Sequence, residues 1–208
     1  MPLSLWTFLI AITILTMTPG VDTMMIFRNT LRGGAKDGLA SSLGICLGLF
    51  VHAFLSAVGI SAILLYSLTA FTILKTIGAL YLIWLGFHSL KAFWNFKKQK
   101  DIQTVKREFY FWRSLREGFL SNVLNPKTIV FYMAFLPQFI APHHSALAQS
   151  MFLASLHFII ATLWQGLLVY TLHSANGFIL KPIVRRSLDF ISGSVMIALG
   201  IKLFLAKK

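Results

Sequence analysis

Carboxylates are scarce in this chain of 208 residues: six aspartates and glutamates stand against 19 lysines and arginines, for a formal net charge of +13. Charge of either sign is thin, at 12% of residues, while 57% are hydrophobic. A soluble domain carries about 25% charged residues and about 45–50% apolar ones, so a water-facing surface could not be covered here and lipid is the expected surrounding. There is one cysteine, Cys46, which excludes an intrachain disulfide and a cysteine metal cluster. Glycine-rich phosphate loops, zinc fingers and RNA-binding motifs are missing, so the basic charge does not read as nucleic-acid binding and no nucleotide cofactor is implied. No lysine or arginine precedes Arg28. The N-terminus therefore lacks the basic start of a signal peptide, and Pro19-Gly20 leads into more apolar residues, which reads as a retained membrane segment.

What is present is apolar sequence in six stretches, about 3–27, 39–66, 69–90, 118–140, 146–173 and 187–206. Most reach the roughly 20 residues a helix needs to cross a hydrocarbon core. The expected fold is an all-α integral membrane protein of six transmembrane helices. Fourteen of the 19 lysines and arginines fall between stretches 1 and 2 (Arg28, Arg32, Lys36), 3 and 4 (eight residues from Lys91 to Arg116), and 5 and 6 (Lys181, Arg185, Arg186). The positive-inside rule puts these loops in the cytoplasm and both termini outside. The 91–117 loop interleaves its cations with Trp94, Phe109, Tyr110, Phe111 and Trp112, as an amphipathic segment at an anionic leaflet would.

That loop divides the chain into residues 1–90, 91–117 and 118–208. Pro19-Gly20 in the first part is answered by Asn125-Pro126 in the last, and His52 by His157 at nearly the same spacing. Three crossings per half reverse the orientation of the second, which is the inverted-repeat plan of many secondary transporters.

The interruptions carry the chemistry. Pro19 has no N–H and obstructs the carbonyl four residues back, and Gly20 removes bulk, so the first helix opens around 16–20. Freed carbonyls inside a bilayer need protein, water, an ion or a substrate as partner. Thr16, Thr18, Asp22 and Thr23 crowd the opening, with Asp22 where the positive end of the next helical turn favours a carboxylate. An intramembrane aspartate costs about 2.5–3.5 kcal/mol on insertion scales and usually marks a pathway. In the second half, Asn122 and Asn125 share a helix face and Pro126 starts a new helical stretch. Lys127 either meets a substrate carboxylate, pairs with Asp22, or snorkels to headgroups. Lys75, on one stripe with Gly78, Ala79 and Leu82, faces a central cavity or snorkels outward.

Other polar residues divide between scaffold and site. His52, His157 and Gln165 fit interhelical hydrogen bonding or proton transfer equally. Asp189 stands close to Arg185 and Arg186, as an interfacial ion pair. The six histidines lack convergent metal spacing, and His143-His144 falls in a short exterior turn. Gly44 and Gly48, with Ser41 a turn earlier, form a small face for close helix packing, a scaffold feature that permits a homodimer without requiring one.

The segments TPGVDTMMIFRNTLRGGAKDGLASSLGICLGLFVH, ILKTIGALYLIWLGFHSLK, GFLSNVLNPKTIVFYMAFLPQF and GSVMIALGIKL, in this order, resemble the LysE/RhtB family of lysine and homoserine/threonine exporters. The resemblance covers nearly the whole chain. It implies a non-enzymatic bacterial inner-membrane exporter of amino acids that exchanges its substrate for protons. Carried over by motif, Pro19, Gly20 and Asp22 match the first signature, Asn125, Pro126 and Lys127 the second, and Lys75 with Gly78 the third-segment pattern. Val21 stands where many members have a second proline, so the break here is expected to be milder. The expected site comprises Thr18, Pro19, Gly20, Asp22, Lys75, Asn122, Asn125, Pro126 and Lys127. Asp22 would take the substrate ammonium or the coupling proton, and Asn122, Asn125 and Lys127 or Lys75 the carboxylate. No cofactor or metal is expected. The competing readings are a divalent-cation exporter, which needs more converging ligands than the chain offers, and a non-transporting membrane scaffold subunit.

Overall fold

The computed structural model describes residues 4–66, 68–94, 108–141, 143–173 and 182–205, nearly all of them helical. In chain order these are α1 (Leu5–Met17), α2 (Val21–Tyr66), α3 (Leu68–Trp94), α4 (Phe111–Val123), α5 (Pro126–Val130), α6 (Ala146–His173) and α7 (Pro182–Leu205). α5 runs on through a π-helical turn, Phe131–Phe135, and a 3-10 turn, Leu136–Phe139.

Local sequence sets the breaks. Ser4 starts α1 by accepting a hydrogen bond from the Thr7 amide. The residue before a proline is pushed out of the helical region, and Thr18, ahead of Pro19, is extended at φ −65°, ψ 120°. α5 begins on Asn125, whose side-chain oxygen accepts from the Lys127 amide, with Pro126 in the first helical position. Inside α2, Gly34 has φ +75°, a backbone that only glycine adopts at no steric cost, and the helix kinks there.

The sequence expectation of six transmembrane helices in two inverted three-helix repeats is not upheld. Among the described residues, two helical stretches are long and apolar enough to cross a membrane, Val21–Gly59 within α2, and α6. α1, with 13 residues, is about 20 Å long, short of a hydrocarbon core of about 30 Å. The apolar run 118–140 is divided among α4, α5 and the two irregular turns, because Pro126 and Pro137 each remove a donor. The first break was expected. Helix on both sides of residues 33–34 was not, since residues 28–38 read as a charged loop; the backbone leaves the helical region at Gly33 and Gly34, and the charges flanking that kink are neutralised by one another, as described below. The 95–107 part of the basic loop lies outside the described residues, as do the side chains of Arg185, Arg186 and Asp189.

Close backbone approach decides the packing. A Cβ on Gly44 would overlap the Leu115 carbonyl, one on Gly118 the Ser41 carbonyl, and one on Gly48 would come within 2.7 Å of Asn122 Oδ1. α2 and α4 thus touch along a seam of small residues. Gly86 and Gly193 do the same between α3 and α7. The small face of Ser41, Gly44 and Gly48, read as a face for close helix packing, is used for that within the chain, and Gly48 lies directly against a site residue. Gly118→Val is expected to abolish accumulation of folded protein, measured as loss of a monodisperse species in detergent. Gly166→Val, whose added Cβ meets nothing within 4 Å, is expected to accumulate normally.

One apolar core joins Phe8, Ile12 and Leu15 of α1 to Cys46, Leu49 and Ala53 of α2, to Phe131, Tyr132, Phe135 and Phe139, and to Ala154 and Ala161 of α6. Facing outward are Leu43, Leu47, Phe54, Leu55 and Val58 on α2, and Phe152, Ile159, Leu163 and Tyr170 on α6. Large apolar side chains both inside and out are what a bilayer-embedded chain requires and a water-soluble one avoids.

Candidate functional site

Pro19 has no N–H with which to close the helical hydrogen bond to the Leu15 carbonyl, and that acceptor is taken instead by Lys127. Its Nζ donates to Leu15 O at 3.1 Å and to Thr18 O at 2.9 Å. The ammonium sits at the negative end of α1, where the dipole and the orphan carbonyls both favour a cation. It lies only 3.2 Å from where a Gly20 side chain would begin, so glycine makes room for the approach. Thr18 is buried and its own hydroxyl donates to Ile14 O at 2.7 Å.

Asp22 occupies the first turn of α2, at the positive end of that helix. Its Oδ1 accepts from Ser121 Oγ at 3.0 Å, and its Oδ2 from Asn122 Nδ2 at 2.9 Å and Asn125 Nδ2 at 3.0 Å. Three donors from the end of α4 and the start of α5 thus orient one carboxylate. Among the described residues, Asp22 and Lys127 do not pair within 4.0 Å of each other. Both nevertheless line one cavity of about 30 Å³, with Thr16, Thr23, Asn122, Thr128, His157, Trp164 and Gln165 as its other polar walls and Leu15, Ile45, Leu49 and Ala161 as its apolar ones. The Asn122 Oδ1 and Trp164 Nε1 atoms are buried without a hydrogen-bond partner.

The break at Thr18, Pro19 and Gly20 and the residues Asp22, Asn122, Asn125, Pro126 and Lys127 are therefore brought together. Lys75 belongs to α3, and its side chain lies outside the described residues. Sequence reasoning passed over Ser121, Thr128 and Trp164. Ser121 had a signal, since it precedes Asn122 and stands one helical turn before Asn125.

A second polar cluster, one to four turns along α2 from Asp22, was read only as loop charge. Asp37 is fully buried and takes two hydrogen bonds from Arg32, Nε at 2.9 Å and Nη2 at 3.0 Å. Ser114 of α4 hydrogen-bonds the same carboxylate. Glu117 of α4 accepts from Arg28 at 2.8 Å, Asn29 at 2.9 Å and Arg32 at 3.1 Å. Arg32 thus bridges both carboxylates across the Gly33–Gly34 kink. Burial pushes the Glu117 carboxyl up, but the hydrogen bond from Arg32 and the charges of Arg32 and Arg28 hold it below the usual carboxylate range.

Comparison with known proteins gives the family. Residues 13–207 match the family described as LysE type translocator. An uncharacterized membrane protein, YrhP, of Bacillus subtilis is 34% identical over 194 residues, 90% of this chain and 92% of that protein. A homoserine/homoserine lactone efflux protein of Salmonella typhimurium is 35% identical over 146 residues, 70% of this chain and 69% of its own length. A leucine efflux protein of Salmonella choleraesuis is 30% identical over 144 residues, 68% of this chain and 66% of its own. No solved structure matches. With its family model spanning both helix breaks and nearly the full length, this membrane protein belongs to the LysE type translocators.

Proposed function

We propose that this protein exports amino acids or close derivatives from the cytoplasm across the bacterial inner membrane, in exchange for protons. The observation that carries the reading is the arrangement of Asp22 and Lys127. A carboxylate and an ammonium, each at a helix end of favourable sign, line one cavity without a direct ion pair between them. A zwitterion fits between the two charges: its ammonium meets Asp22, and its carboxylate meets Lys127, the Asn122 and Asn125 amides, or Lys75. The relatives named for efflux of homoserine and of leucine support the same substrate class.

A cavity of about 30 Å³ holds about two waters, at roughly 10–15 Å³ of such volume each, and no amino acid. Export therefore requires this site to widen. The basic 91–117 segment is assigned to the cytoplasmic side and both termini to the opposite side, on the lopsided distribution of cations. A divalent-cation exporter would gather carboxylates, thiolates or imidazoles; among the described residues no group of three such side chains is placed to hold a metal.

The test is efflux of preloaded neutral, hydroxylated and basic amino acids from cells producing the protein. At least one should leave faster than from cells without it. If none does, the scaffold reading replaces this one.

A further inference from the structure

His157 lies in the middle of α6, 4% exposed, and lines the same cavity as Asp22 and Lys127. Its Nε2 is 3.0 Å from Thr16 Oγ1 of α1, and its Nδ1 is 3.0 Å from the hydroxyl of Tyr132, against whose ring it stacks at 5.9 Å. Both partners are hydroxyls, which donate or accept by rotating the O–H. A neutral imidazole donates from one nitrogen and accepts at the other; an imidazolium donates from both. Thr16 and Tyr132 can each accept from a ring N–H, so both ring nitrogens keep a partner whether the ring holds one proton or two. His52 differs. Its Nε2 lies 3.0 Å from the Asn122 carbonyl oxygen, which only accepts, so that nitrogen keeps its hydrogen in every state.

We propose that His157 is the residue that takes up and releases the exchanged proton, an inference that rests on the proton-exchange reading above. The bare ring nitrogen takes a proton from water on the outer side, giving an imidazolium, and returns it to water on the cytoplasmic side, restoring the neutral ring. Around it stand Lys127 and Tyr132 from the broken segment after α4, and Asp22, Cys46 and His52 from α2; α1 presents the Thr16 hydroxyl. A cation on His157 and a substrate ammonium at Asp22 are alternative positive charges in one small cavity that already holds Lys127. They oppose each other there, which is the coupling an exchanger requires.

The experiment uses purified full-length protein in liposomes loaded with labelled leucine, homoserine and lysine. The ratio of efflux with an acid-outside gradient to efflux at equal pH is measured for wild type and His157→Gln. Wild type should give a several-fold ratio and His157→Gln a ratio of one; an unchanged ratio in the variant overturns the proposal. If His157→Gln carries no flux, Tyr132→Phe and Thr16→Val decide, because each keeps the ring and deletes one hydroxyl. Each should move the midpoint of the pH profile by about half a unit or more, as loss of a hydrogen bond to a titrating group does. Unmoved midpoints in both overturn the proposal. A wild-type ratio of one would instead sink the proton-exchange reading itself.

Discussion

Replacing Asp22 by asparagine is expected to lower export by about 30-fold or more, the consequence of losing about 2 kcal/mol of charge-assisted hydrogen bonding to the substrate ammonium. The substitution preserves volume and removes the charge. It also disturbs the group that positions the site: Ser121, Asn122 and Asn125 all donate to Asp22. An asparagine would offer these donors one oxygen and turn an NH₂ towards the rest. Folding is checked separately by helicity and by elution in detergent, so that a fall in export at unchanged fold is assigned to the site. Export at the wild-type rate by Asp22→Asn would remove Asp22 from any role in binding or coupling.

The second large effect is on stability. Asp37 is fully buried and depends on Arg32 for two of its hydrogen bonds. Deleting one partner of a buried ion pair costs up to about 3–5 kcal/mol, and without Arg32 the buried Asp37 keeps only a longer contact to Arg113, at 3.6 Å. Arg32→Met should therefore lower thermal stability sharply. The double variant Arg32→Met/Asp37→Asn should recover at least half of the loss, because the poorly compensated buried carboxylate is then neutral. A double variant no more stable than the single one would mean that Arg32 matters for packing alone. Acid should act on the same cluster. The folded Glu117 carboxyl is held below its unfolded value, so its contribution is complete above about pH 4.3 and is lost as pH falls through the folded value. Arg32→Met should blunt that acid sensitivity, which is read from melting temperature against pH.

Local rules made part of this site visible in the sequence. A proline inside an apolar run frees a carbonyl wherever the helix ends up, and an asparagine before a proline caps whatever helix follows. The breaks at Pro19 and Pro126 and the outward apolar faces could thus be read without a structure. Partner choice across the fold could not. Whether Lys127 neutralises Asp22 or caps α1 depends on how far α5 reaches past Gly20, a distance that no spacing along the chain encodes. The charges at 28–37 read as a loop for the same reason: besides the local Arg32–Asp37 pair, their partners, Ser114 and Glu117, are supplied by α4, some 80 residues away, and that pairing accompanies helix on both sides of the Gly33–Gly34 kink. Gly48 likewise looked like packing alone until Asn122 was found against it.

The distinction between a site that reads a zwitterion and a structural ion pair is settled by pairing changes in the ligand with changes in the residue. Purified protein would be titrated with the exported amino acid and with its des-amino analogue, for wild type and for Asp22→Asn, by equilibrium binding. Wild type should prefer the amino acid by at least about 30-fold, as one charge-assisted contact of about 2 kcal/mol implies, and Asp22→Asn should bind the two ligands almost equally. An equal preference in both proteins would contradict the assignment of the substrate ammonium to Asp22.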